Sequence, residues 1–574
     1  MRLNALLGLW LAVLSLFAQA NQTEQKPAWQ KAWWLASQTP QQNSTHWLVG
    51  NEKNAPNKVP LGSLWKLFVY NYTIDNGLQD MPYACHAGKR AAVGDEYCCS
   101  KDETISVDVA LARSCGVYFE PKRLNIEAKD WQQYWQKQVP DVQWLHDVGN
   151  MQPQTQTDVQ DILTALSKMS SKSVAQSRQA LLGRLLQPQW SALLPQLGGA
   201  YRFKTFTWQH PQYAGAAFGG AAGWLADGTV FWLGGTGSSR EVLFKAAPMV
   251  ASVLPVSEHV AQKFDEACVV VHYFKRYPID KIALVGQPKT RVNAGVLRGQ
   301  YAVKFSNGNA LQLMSHGELS LQIDHNKSQI WGKLGLQEYI ARVVDREADA
   351  TKTEAAKALS IAARSYVFQN ATFHQGCWQI DDDSRTQRVS ASPASQAAKT
   401  VAAMTEDLTL TGSPIYYHQN KSAANTLNWL LAVKRGELGD NYLMMLHEAY
   451  PNASWRLSNQ TQQCQRLPQA EQYVQKNRAA VQRSVSHIAG FEPVQDLKIC
   501  QLDYGNPYSD QQTLSMFVRD WRSENDRITL WHEYLHLALR FHPNGGNEAL
   551  IEPIARQLAQ NLMIETNQKT RLAQ

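Results

Sequence analysis

The chain opens on a leader that decides where it folds. Arg2 supplies a positive start, Ala5 to Phe17 an apolar run, and Ala18-Gln19-Ala20 an A-x-A cleavage pattern. These are the three parts of a secretory signal. The run is shorter than the ~20 apolar residues that span a bilayer, and no Cys follows the cleavage pattern to take a lipid. The expectation is export to the periplasm or beyond, loss of residues 1–20, and no membrane span in the remainder. Folding then happens in oxidising surroundings, where cysteines pair. There are eight: Cys85, Cys98, Cys99, Cys115, Cys268, Cys377, Cys464 and Cys500. Cys85 with Cys98 or Cys99, and Cys464 with Cys500, are the candidate bridges, and no C-x-x-C pattern points to a thiolate zinc site.

At 574 residues the chain exceeds what one core serves, and length alone suggests about three or four domains. The formal charge of +7 is mild for this size. It permits weak attraction to anionic wall polymers and does not call for nucleic acid. Helical stretches (ISVDVALARSCGVYF, VQDILTALSKM) precede strand-like runs (GAAGWLA, GTVFWLGG) across residues 21–270. Residues 285–455 open on strands (YAVKFS, ALQLMS, LSLQI) and continue with helices over 336–345 and 352–368. Residues 456–574 are polar, then helical from about Thr513. Helices and strands segregated along the chain indicate α+β domains, the last one mainly helical.

The sharpest local pattern is His532-Glu533-Tyr534-Leu535-His536. Two His at i and i+4 on a helix share one face and can bind one zinc ion, with the intervening Glu placed as general base. Chance gives H-E-x-x-H in about two of a hundred such chains. The alternative is a core helix with two hydrogen-bonded His, and the apolar flanks (LWHEYLHLALRF) make the helix a core element either way. A third ligand must come from beyond the Pro543-Asn544-Gly545-Gly546 turn. With a rise of about 1.5 Å per residue, two antiparallel helices bring Glu552 to the height of His536. Glu552 is the expected ligand, with Glu548 and His542 as alternatives. The arrangement resembles that of the gluzincin zinc peptidases over about 25 residues, and implies zinc.

Ser63-Leu64-Trp65-Lys66 is S-x-x-K, which on a helix puts a Lys amine beside a Ser hydroxyl. ALARSCGVYF and then YRFKTFTW and GAAGWLADGTVFWLGG follow. That order resembles the penicillin-binding transpeptidase and serine β-lactamase superfamily, with S-x-x-K, S-x-N and K-[ST]-G. The resemblance implies Ser63 as nucleophile, Lys66 as its base, Ser114 as proton shuttle, and Lys204 with Thr205 as the carboxylate-binding pair. Two positions depart from the pattern: Gly116 stands for the Asn of S-x-N and Phe206 for the Gly of K-[ST]-G. A side chain at Phe206 crowds the substrate strand, which favours a domain that binds stem peptides over one that cleaves them.

LGLQEYIARVVDREADATKTEAAKALSIAARSYVF, with GVLRGQYAVKF before it and AAKTVAAMTEDLTLTGSPIYYH after, resembles the SpoIID/LytB family over about 150 residues. Members cleave glycan strands as lytic transglycosylases or enhance cell-wall amidases. The resemblance places the catalytic acid at Glu347, where burial would keep it protonated. At HQNKSAANTLNW the family's G-G pair is replaced by Ala423-Ala424. The domain order with HEYLHLALRFHP also resembles a predicted secreted bacterial family whose genes often lie beside those of bacterial alpha-2-macroglobulins. That resemblance implies an alpha-2-macroglobulin-like envelope partner. Together the modules point to peptidoglycan, with zinc-dependent peptide hydrolysis as the expected chemistry. Glycan cleavage by Glu347 and a non-catalytic scaffold are the alternatives.

Overall fold

A computed structural model describes residues 33–40, 44–50, 56, 58–86, 98–99, 104–187, 189–210, 216–256, 267–287, 292–325, 327–457, 464, 466–502, 507–510, 513–542, 544–545 and 547–572. The leader lies outside them. The chain divides into two compact units, 1–177 with 203–255, and 178–202 with 256–574.

In the first unit a five-stranded sheet runs in spatial order His46–Val49, Trp33–Gln38, Val230–Thr236, Ala217–Trp224, Arg202–Gln209. The Gly-rich hairpin of the two GG-containing strands pairs antiparallel from Phe218↔Thr236 to Trp224↔Val230. Its glycines let backbones approach closely: a Cβ on Gly220 would sit 1.9 Å from the Leu233 carbonyl oxygen. Helix Trp65–Asp75 is buried almost throughout, with Phe68 edge-on to Trp135 and Trp144 at 6.0 and 5.4 Å. Helix Val107–Arg113 ends because Ser114 adopts a left-handed conformation (φ 61°, ψ 40°), uncommon outside glycine. The continuous helix expected through CGVYF is thus broken at Ser114.

The second unit contains a seven-stranded sheet in the order Ile279–Leu284, Gly295–Phe305, Ala310–Asp324, Lys327–Gly335, Cys268–Tyr273, Cys377–Asp381, Thr372–His374. Ile279 also pairs with Ser328, closing the first four strands on themselves. Cys268–Tyr273 and Cys377–Asp381 run parallel and are joined by a disulfide between Cys268 and Cys377. Two helices, Leu336–Glu347 and Thr353–Asn370, lie in the chain between strands Lys327–Gly335 and Thr372–His374. Arg342, on the first, is buried and held by Glu318 and Glu338 at 2.7 Å each.

Segment 178–202 joins this unit through buried charge. Arg202, fully buried, lies 3.2 Å from Asp407, and Arg178 pairs with Glu406. Gly199 passes so close to residue 406 that a Cβ would stand 2.0 Å from its carbonyl oxygen. The boundary expected at 270 therefore moves to 255, and a piece of the expected N-terminal domain belongs elsewhere.

Residues beyond 456 carry helices Pro468–Val485, Glu524–Ala538 and Glu548–Leu572. They also carry a three-stranded sheet, Lys498–Gln501, Ser515–Val518, Tyr508–Asp510. Helix was expected from about Thr513, but Ser515–Val518 is a strand and the helix begins at Glu524, where Ser523 and Asp526 form a capping box. Trp531, Tyr534, Leu535 and Ala538 sink into the core beneath it. All eight cysteines pair: Cys85–Cys99, Cys98–Cys115, Cys268–Cys377 and Cys464–Cys500.

Candidate functional site

The H-E-x-x-H helix turns its apolar face to the core and leaves His532 and His536 half-buried beneath helix Glu548–Leu572. Their Nε2 atoms stand 3.1 Å apart. Glu548 closes the group, with Oε2 2.8 Å from His532 Nε2 and Oε1 3.3 Å from His536 Nε2. Each imidazole is oriented from behind. His532 Nδ1 lies 2.8 Å from Glu552 Oε2, and His536 Nδ1 lies 2.9 Å from the Gly545 carbonyl oxygen. Arg556 pairs in turn with Glu552 at 2.5 Å.

These contacts bring Glu548, rather than the expected Glu552, to the two Nε2 atoms. Glu552 sits on the far nitrogen of His532, and Glu548 takes the converging position. The cause is the turn. Gly545 folds against Leu539, where a Cβ would come within 2.0 Å of the carbonyl oxygen, so the chain is already level with His536 at residue 545. Glu548 then falls between the two His, and Glu552, one helical turn on, reaches His532. His542 accepts from the Asn544 amide at 3.0 Å, as part of the turn.

The donor set suits a cation. In the tautomer whose Nδ1–H groups donate to Glu552 and the Gly545 carbonyl, each Nε2 presents a lone pair, and Glu548 is an acceptor. Three acceptors facing one another need positive charge between them. Two nitrogens bound tetrahedrally to one zinc at about 2.0–2.1 Å stand ~3.3 Å apart, near the spacing seen. The same demand acts on protons. Burial pushes His532 down, yet Glu548, Glu533 and Glu552 outweigh it and lift the imidazole to about 9. Hydrogen bonds from His532 and His536 hold Glu548 down at about 2. Glu533 is buried, with Ser509 as a hydrogen-bond partner, and burial raises its carboxyl to about 7. A carboxyl poised there can take and return a proton near neutrality.

Beside this cluster opens a cavity of about 580 Å³. Residues 422–428 form one wall, Leu431, Arg435, Met445 and Glu448 another, and Asn547 with Glu548 the edge nearest the cluster.

The serine constellation is assembled around Ser114. Lys204 Nζ donates to Ser114 Oγ at 2.7 Å and to the Thr205 carbonyl at 2.9 Å. Lys66 Nζ donates to the Ser114 carbonyl at 2.6 Å, with Oγ at 3.5 Å. Ser63 is half-buried on the preceding 3-10 turn, and Thr205 is buried. Phe206, fully buried, packs on Phe218 and Trp232. A Cβ on Gly62 would lie 3.1 Å from Phe206 Cβ, so this ring lies against the turn that carries Ser63.

Glu347, expected to stand alone, meets Arg388. Its Oε1 accepts from the Arg388 amide at 2.8 Å, and its Oε2 from Arg388 Nη2 and Nε at 3.2 and 3.3 Å. Arg388 lies 41 residues away, so nothing local announced it.

Whole-chain comparison places the molecule among relatives. The uncharacterized protein YfaQ of Escherichia coli (strain K12) is 40% identical over 503 residues, 87% of this chain and 89% of that one. The chain belongs to the YfaQ family. Residues 92–212 and 425–544 match the family model described as Predicted secreted protein (DUF2300). Residues 324–420 match the model of the Stage II sporulation protein SpoIID, so a SpoIID domain occupies the middle of the chain. The family's description as secreted agrees with the leader, and no helix among the described residues is long and apolar enough to cross a membrane. Among solved structures, the chain is similar to the penicillin-binding protein PonA1 from Mycobacterium tuberculosis (13% identity, 43% of this chain, 82% of that chain, TM-score 0.30). It is also similar to a class D β-lactamase from Sebaldella termitidis (9% identity, 39% and 88%, TM-score 0.26). Nothing about the serine site follows from scores this low.

Proposed function

We propose that the chain is an exported, zinc-dependent peptide hydrolase of the cell envelope. The observation that carries this reading is the convergence of His532 Nε2, His536 Nε2 and Glu548 on one point, with Glu533 on the same helix. A zinc ion held there would polarise the scissile carbonyl and acidify a bound water. Glu533 would take one proton from the attacking water and return it to the leaving nitrogen. Water is thereby added across the C–N bond, with oxygen on the carbonyl carbon and hydrogen on the amine. Glu552 and the Gly545 carbonyl keep the two rings in the tautomer that presents Nε2. The SpoIID match supports a peptidoglycan setting. No observation favours an alpha-2-macroglobulin-like partner.

The test is release of new amino termini from peptides and from sacculi by the purified mature chain. Loss of activity on chelation, return with zinc, and loss in Glu533→Ala are expected. Cleavage that survives chelation, or anhydro-sugar products lost in Glu347→Ala, would replace this reading with glycan cleavage.

A second reading concerns the SpoIID segment with the residues before it, as a holder of glycan strands. A cavity of about 650 Å³ is shared between the SpoIID segment, with Arg346, Asp382 and Arg388, and the residues before it, with Phe274 and Tyr277. Aromatic faces with charged hydrogen-bonding groups suit sugars, and Arg388 keeps Glu347 occupied. Sacculus pull-down by wild type, weakened in Tyr277→Ala, is the expected result.

A further inference from the structure

The 580 Å³ cavity beside the metal-ligating cluster has a chemistry of its own. Its wall of residues 422–428 includes Ala423 and Ala424. The SpoIID match ends at residue 420, and the second block of the secreted-family match runs from 425 to 544. One block of sequence therefore carries both the cavity wall and the two His.

The lining is rich in amides and nearly neutral. Asn425, Asn428, Asn452 and Asn547 line it, Asn428 with its amide turned to the helix it caps and to Ser422, the others carrying amides of the kind that both donate and accept. Arg435 and Glu448, the opposite charges in the wall, pair with each other, and Arg435 also binds Asp440 at 2.6 Å. The remaining charge is Glu548, which faces the two imidazoles. Leu431 offers apolar surface, 42% exposed, with Met445 beside it. The volume is that of pockets which take small-molecule-sized ligands, so a few residues of extended chain fit and a folded partner does not. The wall lacks the aromatic platform seen in the 650 Å³ cavity.

We propose that this cavity is the substrate-binding subsite of the metal centre and that it takes a short, uncharged peptide segment. Amide side chains match the alternating N–H and C=O groups of a peptide backbone. Leu431 and Met445 receive small apolar side chains. Glu548 borders both the cavity and the two Nε2 atoms, so a segment held in the cavity would lie beside the metal-ligating group. A charged side chain entering this wall loses hydration and finds no unpaired opposite charge. This inference rests on the zinc hydrolase reading.

The experiment uses the zinc-loaded mature chain and a positional set of internally quenched octapeptides, with cleavage sites read by mass spectrometry and zinc content measured on every sample. Two variants accompany wild type. Asn425→Asp adds a negative charge at a residue whose φ of +54° Asp also tolerates. Leu431→Trp fills the cavity from a half-exposed position. Neutral segments are expected to be cut at least about tenfold faster, in kcat/KM, than those with Asp, Glu, Lys or Arg beside the scissile bond. Asn425→Asp shifts the preference toward Lys-containing peptides, and Leu431→Trp raises KM about tenfold with zinc unchanged. If zinc binds and peptides are cut, but charged and neutral segments are cut alike or both variants behave as wild type, the substrate class is overturned and the hydrolase stands. If zinc does not bind, or binds without any cleavage, the hydrolase reading falls and the substrate class falls with it.

Discussion

At the scale of single residues, Glu548 and Glu552 are one helical turn apart and do different work. Glu548 meets both Nε2 atoms, and Glu552 holds one ring from behind. Glu552→Gln is expected to weaken zinc by about 10–100-fold, the usual effect of removing such a support. Glu548→Gln should weaken it more. Competition against a chromophoric chelator measures both, and the reverse order would return Glu552 to the ligand set. Phe206 is a second case. Phe206→Ala deletes a buried ring and should cost about 3–5 kcal/mol in urea unfolding. With the ring in place, fluorescent penicillin should leave the wild type unlabelled, and a covalent label that vanishes in Ser63→Ala would show the cleft to be open. His532, Glu533 and His536 were legible because their relation is local to one helix. The choice between Glu548 and Glu552 was not, because it depends on how tightly residues 539–547 turn.

At the scale of elements, the helices Leu336–Glu347 and Thr353–Asn370 fall within two residues of their expected limits, since apolar spacing marks a buried helix directly. The two strand-like runs ALQLMS and LSLQI prove to be one strand, Ala310–Asp324. Gly317 between them sits in the strand at φ +117° beside an irregular register at Leu297/Arg298, which keeps both halves in the sheet. The turn at Gly545 is the element on which the candidate metal centre depends. Gly545→Ala forces a Cβ against the Leu539 carbonyl, so the second helix must shift. We expect a loss of about 1–3 kcal/mol and weaker zinc binding. Melting and zinc titration of the variant check this, and unchanged zinc affinity would mean the turn does not set the ligand spacing.

At the scale of the whole chain, the α+β character was legible and the partition was not. Local patterns carry no mark that 178–202 crosses into the second unit, because the tie is made by Glu406 and Asp407 more than two hundred residues downstream. Cys268–Cys377 likewise closes a 109-residue separation. In the chain-entropy account a loop near that length is worth up to about 4–5 kcal/mol, so Cys268→Ser with Cys377→Ser should lower the unfolding midpoint of the second unit markedly. An unchanged midpoint would mean that packing alone sets its stability. The adjacent residues Cys98 and Cys99 take different partners, Cys115 and Cys85, so the two bridged loops overlap along the sequence. A chain threaded through a membrane from its N-terminus presents Cys85 and Cys98 first, and an oxidase acting on arrival joins that wrong pair. The native pairing then requires thiol–disulfide exchange, which ties production of this protein to a disulfide isomerase in the compartment that receives it. Yield should fall in a host that lacks one.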